Sequence, residues 1–293
     1  MISSRYIYVL ASIIFGLSIA ALSLNYMVFG FPGNNYFPEN TPLFFVLLLL
    51  INFGFTLLFG IKSKPSVAVR ELINFFAIMS LIALATNAIQ LTPFPPIDNY
   101  ILSIEAKVHI NMISILNWTN QFPLFKRILI FIYDSLPFQM SILPLLVIAT
   151  GKYNIAREYY FLLLCTVLIG FVFYYFFPTT APASVIHSPL FTEAQVATGL
   201  KFSQIHQHIP PSTMDGGLIA LPSFHVIWAL LCVYLLKEWF YPAILLLAVN
   251  ILLILSCVLL GWHYPVDVVG GILILGFSYY LLERCKSQHN KSI

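Results

Sequence analysis

Apolar runs long enough to cross a bilayer recur along almost the whole chain, and they restrict the possible folds more than any other feature. They lie near 6–29, 42–61, 71–92, 127–149, 158–177, 222–237, 242–261 and 265–283, the sixth being the shortest. A helix needs about 20 mostly apolar residues to span a hydrocarbon core of about 30 Å. Within lipid the backbone must also satisfy its own polar groups, which favours helices. Charge content agrees: only 9% of the 293 residues are charged and 60% are hydrophobic, whereas soluble domains carry about 25% charge. The expectation is an all-α, polytopic membrane helix bundle with about eight transmembrane helices. The first run follows Arg5 and has the look of a signal peptide, but it is longer than the usual apolar region of one. It is read as a retained span.

The net charge of +3 is small and scattered, which argues against a nucleic-acid partner. By alternation of spans, Arg5, the loop with Lys62, Lys64 and Arg70, the loop with Lys152 and Arg157, Lys237, and the tail residues Arg284, Lys286 and Lys291 share one side. Opposite them, 30–41 has no Lys or Arg and 178–221 has only Lys201, with Lys107, Lys126 and Arg127 as exceptions. The positive-inside rule then places both termini in the cytoplasm. Segment 100–119 is apolar but interrupted by Glu105, Lys107 and His109, and reads as one amphipathic helix at the interface. Cys165, Cys232, Cys257 and Cys285 have neither disulfide nor metal spacing. His206 and His208 form an H-x-H without further ligands at helpful spacings, so no metal site is expected.

Two short segments carry the chemistry, and both fall on the non-cytoplasmic side. One is Pro222-Ser223-Phe224-His225; the other runs from Ser256 and Cys257 through Trp262-His263-Tyr264-Pro265-Val266-Asp267. Ionisable groups at a membrane edge are costly unless they serve a purpose. Proline is favoured in the first turn of a helix, so Pro222 and Pro265 are expected to mark helix starts. His225 and Asp267 then lie in first turns, with His263 just ahead of its helix. Two helix N-termini at one level aim free N–H groups at one spot, a ready anion site, to which Ser223 adds a donor. A spacing of four lets Asp267 accept from one imidazole nitrogen of His263, leaving the other free to attack. His225, without a carboxylate nearby in sequence, is placed to protonate a leaving oxygen.

These segments resemble the second and third signature motifs of the type 2 phosphatidic acid phosphatase superfamily. The branch of inositol phosphorylceramide synthases and their bacterial relatives looks most similar, because Phe177-Pro178-Thr179-Thr180-Ala181-Pro182 is like a segment of that branch. Pro96-Ile97-Asp98 and Tyr133-Asp134-Ser135 resemble bacterial members. The likeness covers roughly 95–280, with its specific part at 177–271. It implies a six-helix catalytic core, a phosphohistidine on His263, protonation by His225, Asp267 as partner of His263, and no cofactor. On that basis 1–92 are N-terminal spans, 93–285 a catalytic membrane domain and 286–293 a cytoplasmic tail. Ser223, Pro222, Ser256 and Tyr264 are the candidate substrate contacts.

One departure changes the expected substrate. No K-x6-R-P motif is found, and Cys257 stands where the superfamily's phosphatases carry an arginine. A phosphate monoester carries close to two negative charges near neutral pH and a diester one, and charge stabilisation dominates phosphoryl transfer. Loss of cations therefore favours a phosphodiester, with Lys126 and Arg127 as candidate replacements. The expected reaction moves a phospho-head group from a membrane phospholipid to an alcohol, or to water, at the periplasmic face of a bacterial inner membrane. The alternatives are a lipid phosphate phosphatase acting on a monoester or diphosphate lipid, and a non-catalytic lipid-binding or transport protein. Transporters typically show inverted repeats and broken helices at mid-membrane, whereas this chain gathers its ionisable groups at one face. Head group, acceptor and oligomeric state are left open by the sequence.

Overall fold

The computed structural model describes residues 2–291, with side chains as far as Gln288. The Lys291 side chain and residues 292–293 of the expected tail lie outside the described residues. The helices are α1 (Ser4–Leu24, continued by a π-turn over Asn25–Phe29), α2 (Thr41–Phe59), α3 (Lys64–Ile89), α4 (Asp98–Lys107), α5 (Met112–Asn120), α6 (Pro123–Tyr133), α7 (Leu136–Ala149), α8 (Tyr153–Phe176), α9 (Glu193–His206), α10 (Phe224–Leu235), α11 (Phe240–Leu259) and α12 (Pro265–Lys291). No strand occurs among the described residues, so the expected all-α class holds.

Helix occupies all eight runs read from the sequence, but six are ordinary spans: α1, α2, α3, α8, α11 and α12 are each long and apolar enough to cross a membrane. The fourth run is the pair α6 and α7, bent by 41°. Pro137 in the first turn of α7 cannot donate back to the preceding helix and disfavours helical geometry just before it. The sixth run, α10, has only 12 residues. The chain is thus a polytopic helical membrane bundle with two irregular members, and both of them border the histidines described below.

α8 forms the axis. It packs against α1, α3, α7, α10 and α12 and is enclosed on all sides over its middle, 158–167, with Leu163, Leu164, Val167 and Tyr174 fully buried, as expected for a helix apolar all round. Two helices, α3 and α8, start earlier than the hydropathy suggests. Arg70 and Arg157, expected in loops, lie on α3 and α8. Arg157 donates from Nε to the buried Glu71 carboxylate at 2.8 Å, so neither charge is stranded in the bundle. Glu158 likewise gathers Lys237, Lys286 and the Tyr234 hydroxyl.

Two further expectations are corrected. Segment 100–119 is not one helix: it breaks at 108–111, where His109 adopts a left-handed φ of 60° and Asn111 caps α5. Glu105, read as an interruption of an interfacial surface, is buried. The outer segment 178–221 is not merely a loop, for it contains α9, opened by a Thr192–Gln195 capping box. Lys201 on α9 is buried with its Nζ turned toward the Met214 and Gly216 carbonyls. His206 stacks on Phe202 of the same helix.

α12 crosses the start of α10 at close range, where Gly270 and Gly271 face Leu221, Pro222 and Ser223. A Cβ on Gly271 would stand 2.7 Å from the Ser223 carbonyl oxygen, whereas one on Gly276 meets nothing within 4 Å. Gly271→Val is therefore expected to destabilise the fold by about 1–3 kcal/mol, read as a lowered Tm in detergent, with Gly276→Val nearly silent. Equal Tm values for the two variants would contradict this packing.

Candidate active site

Two helix starts build the site. The Ser223 side chain caps α10 by accepting from the Val226 N–H at 3.4 Å, which sets His225 in the first turn. Pro222 precedes this cap instead of opening the helix, a correction to the sequence reading. The reason is that the serine hydroxyl, not the proline ring, satisfies a free N–H of that first turn. Pro265 does open α12, with Asp267 in its first turn. The Asp267 Oδ2 accepts from the Tyr264 N–H at 2.8 Å, and the Ser223 N–H donates to the Asp267 carbonyl at 3.0 Å, joining the two helix starts.

His263 sits in this junction, 3% exposed. Its Nδ1 lies 3.1 Å from the Ala220 carbonyl oxygen and 3.3 Å from Asp267 Oδ2. A carbonyl only accepts, so Nδ1 carries the proton and Nε2 presents a bare lone pair. That lone pair faces His225 Nδ1 at 3.3 Å, making His225 the donor between the rings. Tyr133 stacks on His225 with ring centroids 4.5 Å apart, and Trp262 stacks on Tyr133 at 5.3 Å. The three rings hold the second histidine against the first.

The segment 177–182 braces the carbonyl that orients His263. The Leu221 N–H donates to Thr179 Oγ1 at 2.7 Å. Thr180 donates its N–H and its hydroxyl to the Asp98 carboxyl at 2.8 and 3.1 Å, and the Ile97 N–H donates to the Pro178 carbonyl at 2.9 Å. α4 is thereby fastened to the strip of backbone leading to Ala220. Burial pushes the Asp98 carboxyl up to about 6, opposed by the Thr180 hydrogen bonds, and pushes Glu105 up to about 7. Burial drives His263 down to about 4, with the Ala220 carbonyl pulling the other way.

The structure therefore brings His263, His225, Asp267 and Ser223 together. Other candidates fall elsewhere. Ser256 is buried and donates within its own helix to the Leu253 carbonyl at 2.6 Å. Cys257 is fully enclosed. Tyr264 is also enclosed, its hydroxyl beside the Asp98 carboxyl. Lys126 donates to Asn120 Oδ1 at 2.6 Å and lines a cavity of about 160 Å³ whose wall includes Tyr133 and Trp262. Arg127 next to it is exposed. Sequence reasoning missed the Ala220 carbonyl, which has no side-chain signature. It also missed the roles of Tyr133, Trp262 and Asp98, although Tyr133 and Asp98 lie in stretches whose family likeness was visible.

With this geometry in view, the comparison with known families is informative: the model of the PAP2 superfamily matches residues 99–281. The chain belongs to that superfamily. It is accordingly a phosphatase-type membrane enzyme, with phosphatase or phosphotransferase chemistry. No curated protein and no solved structure matches the chain.

The lowered His263 value has a kinetic consequence. Protonation blocks Nε2, so the ring keeps its Nε2 lone pair down to about pH 4, whereas an unperturbed histidine would be half blocked at about pH 6.5. The pH profile of kcat/KM is expected to place the acid limb belonging to His263 well below 6. An imidazole signal of His263 titrating near 6.5, followed by NMR with labelled histidine, would contradict the buried, carbonyl-bound geometry.

Proposed function

We propose that the chain is a membrane lipid phosphotransferase working through a phosphohistidine on His263, with a phospholipid as donor and an alcohol as acceptor. The carrying observation is the Nδ1 bond from His263 to the Ala220 carbonyl, which leaves Nε2 unprotonated, its lone pair turned toward His225. In the first step Nε2 attacks phosphorus, a P–N bond forms and the bond from phosphorus to the diacylglycerol oxygen breaks. The anionic donor favours the protonated form of His225, which gives that oxygen its proton. In the second step the acceptor hydroxyl attacks phosphorus, its proton passes to His225, and the P–N bond breaks. Asp267 and Ala220 hold the ring during both steps. His225 must draw back from its 3.3 Å contact while the phosphoryl group occupies Nε2. Water in place of the alcohol gives hydrolysis and releases the head group as its phosphate; the phosphatase alternative is the same sequence on a monoester or diphosphate lipid.

The preference for a phosphodiester is supported by charge. Among the described residues, no lysine or arginine hydrogen-bonds to His263, His225 or Asp267, and Lys126 is engaged with Asn120 beyond the Tyr133–Trp262 wall. One negative charge can be met by the two helix N-termini; two are harder to offset. The inositol phosphorylceramide synthase-like branch is the reading that fits such a diester donor. On this reading the site faces the extracytoplasmic side of a bacterial inner membrane, with both termini cytoplasmic, which the distribution of basic residues supports. Turnover of phosphatidylinositol and phosphatidylglycerol is expected to exceed that of phosphatidic acid, measured with the full chain in mixed micelles. His263→Ala should lower all of them by at least about 10³-fold. A clear preference for phosphatidic acid would overturn the diester assignment.

A further inference from the structure

The end of the bundle away from the histidines holds a second, unassigned cleft. α1 and α2 each pack along α3 instead of on one another. The gap between them is a cavity of about 810 Å³, floored by α3 and by the start of α8. α8 runs from this cleft, at Arg157, to the segment that braces Ala220, an advance of roughly 30 Å. α1, α2 and α3 all precede residues 99–281, so the matched superfamily region gives them no task.

The lining changes character along its depth. Toward the helix ends it carries Arg70, Glu71, Arg157 and Asn52; deeper in the bundle it is apolar, with Phe15 and Leu81. Glu71 is neutralised by Arg157. Arg70, half-buried, makes no hydrogen bond or ion pair among the described residues, which leaves the cleft with one unbalanced positive charge. The Asn52 side-chain oxygen is shielded and has no hydrogen-bond partner among the described residues. A cation and an acceptor left without partners beside lipid are costly. A ligand carrying one negative charge, a hydroxyl donor and an apolar chain satisfies all three features of the lining at once. Basic pockets between membrane helices hold lipid head groups on this principle.

We propose that this cleft binds an anionic phospholipid with a hydroxylated head group, its phosphate on Arg70, a head-group hydroxyl donating to Asn52, and an acyl chain along Phe15 and Leu81. Such a lipid fills the gap between α1 and α2 and is separate from the lipid consumed at His263.

The test uses the full chain in vesicles containing phosphatidylglycerol with a photoactivatable diazirine on its acyl chain, followed by peptide mapping. Labelling is expected on α1 and α3 around Phe15 and Leu81. Arg70→Gln should reduce it by at least about fivefold, and Asn52→Leu should reduce it less. Arg70→Lys should retain most of it. Turnover of the lipid substrate should be unchanged in all three, which also shows that the variants fold. Cleft labelling that is indifferent to Arg70→Gln, or equally strong from a diazirine diacylglycerol lacking phosphate, would overturn the proposal.

Discussion

The hydrogen bond from His263 Nδ1 to the Ala220 carbonyl is the contact on which the site depends. A carboxylate alone would leave the ring free to choose its tautomer as the proton content of the site changes, whereas a carbonyl can only accept. Much of the histidine-bearing end of the bundle keeps that carbonyl in place. The Leu221 N–H is held by Thr179, Thr180 by Asp98, and the backbone at Pro178 by Ile97. Segment 177–182 is thus a brace between α4 and the histidine, which explains why a stretch poor in ionisable groups is laid against the most polar part of the protein.

The same economy governs charge within the bundle. Several buried charges are answered locally: Glu71 by Arg157, Glu158 by Lys237 and Lys286, and Lys201 by the Met214 and Gly216 carbonyls. On the proposed function the phosphoryl group takes the place of His225 at Nε2 of His263 at one end, and on the further inference a lipid answers Arg70 and the unpartnered Asn52 oxygen at the other. The two irregular members of the bundle serve the first of these ends. The bend between α6 and α7 brings Tyr133 onto His225, and the shortness of α10 fits a helix that begins at the site itself.

Much of this was legible in the sequence, for physical reasons that also set the limits. Period and length of apolar runs locate helices because lipid leaves the backbone no other partner, so all eight runs carry helix. Helix ends were less legible, since Arg70 and Arg157 look like loop charges until their surroundings and partners are seen. The proximity of His263 to Asp267 follows from helical spacing, and that of His225 from two helix starts at one level. The contacts contributed by Ala220, Tyr133 and Asp98 come from segments 43 to 165 residues away along the chain, counted from His263 to Ala220 and to Asp98, and no local pattern announces them. Pro222 shows how a sound rule can slip by a residue or two, because the Ser223 hydroxyl caps α10 and the proline is left outside it.

The most direct measurement is to find where phosphorus resides during turnover. Wild-type protein quenched during reaction with a phosphorus-labelled phospholipid should carry acid-labile, base-stable phosphate on the peptide containing His263, at its Nε2. His225→Ala should let that adduct form slowly and persist. Phosphate found on any other side chain, or undiminished turnover in His263→Ala, would contradict the assignment of His263 as nucleophile.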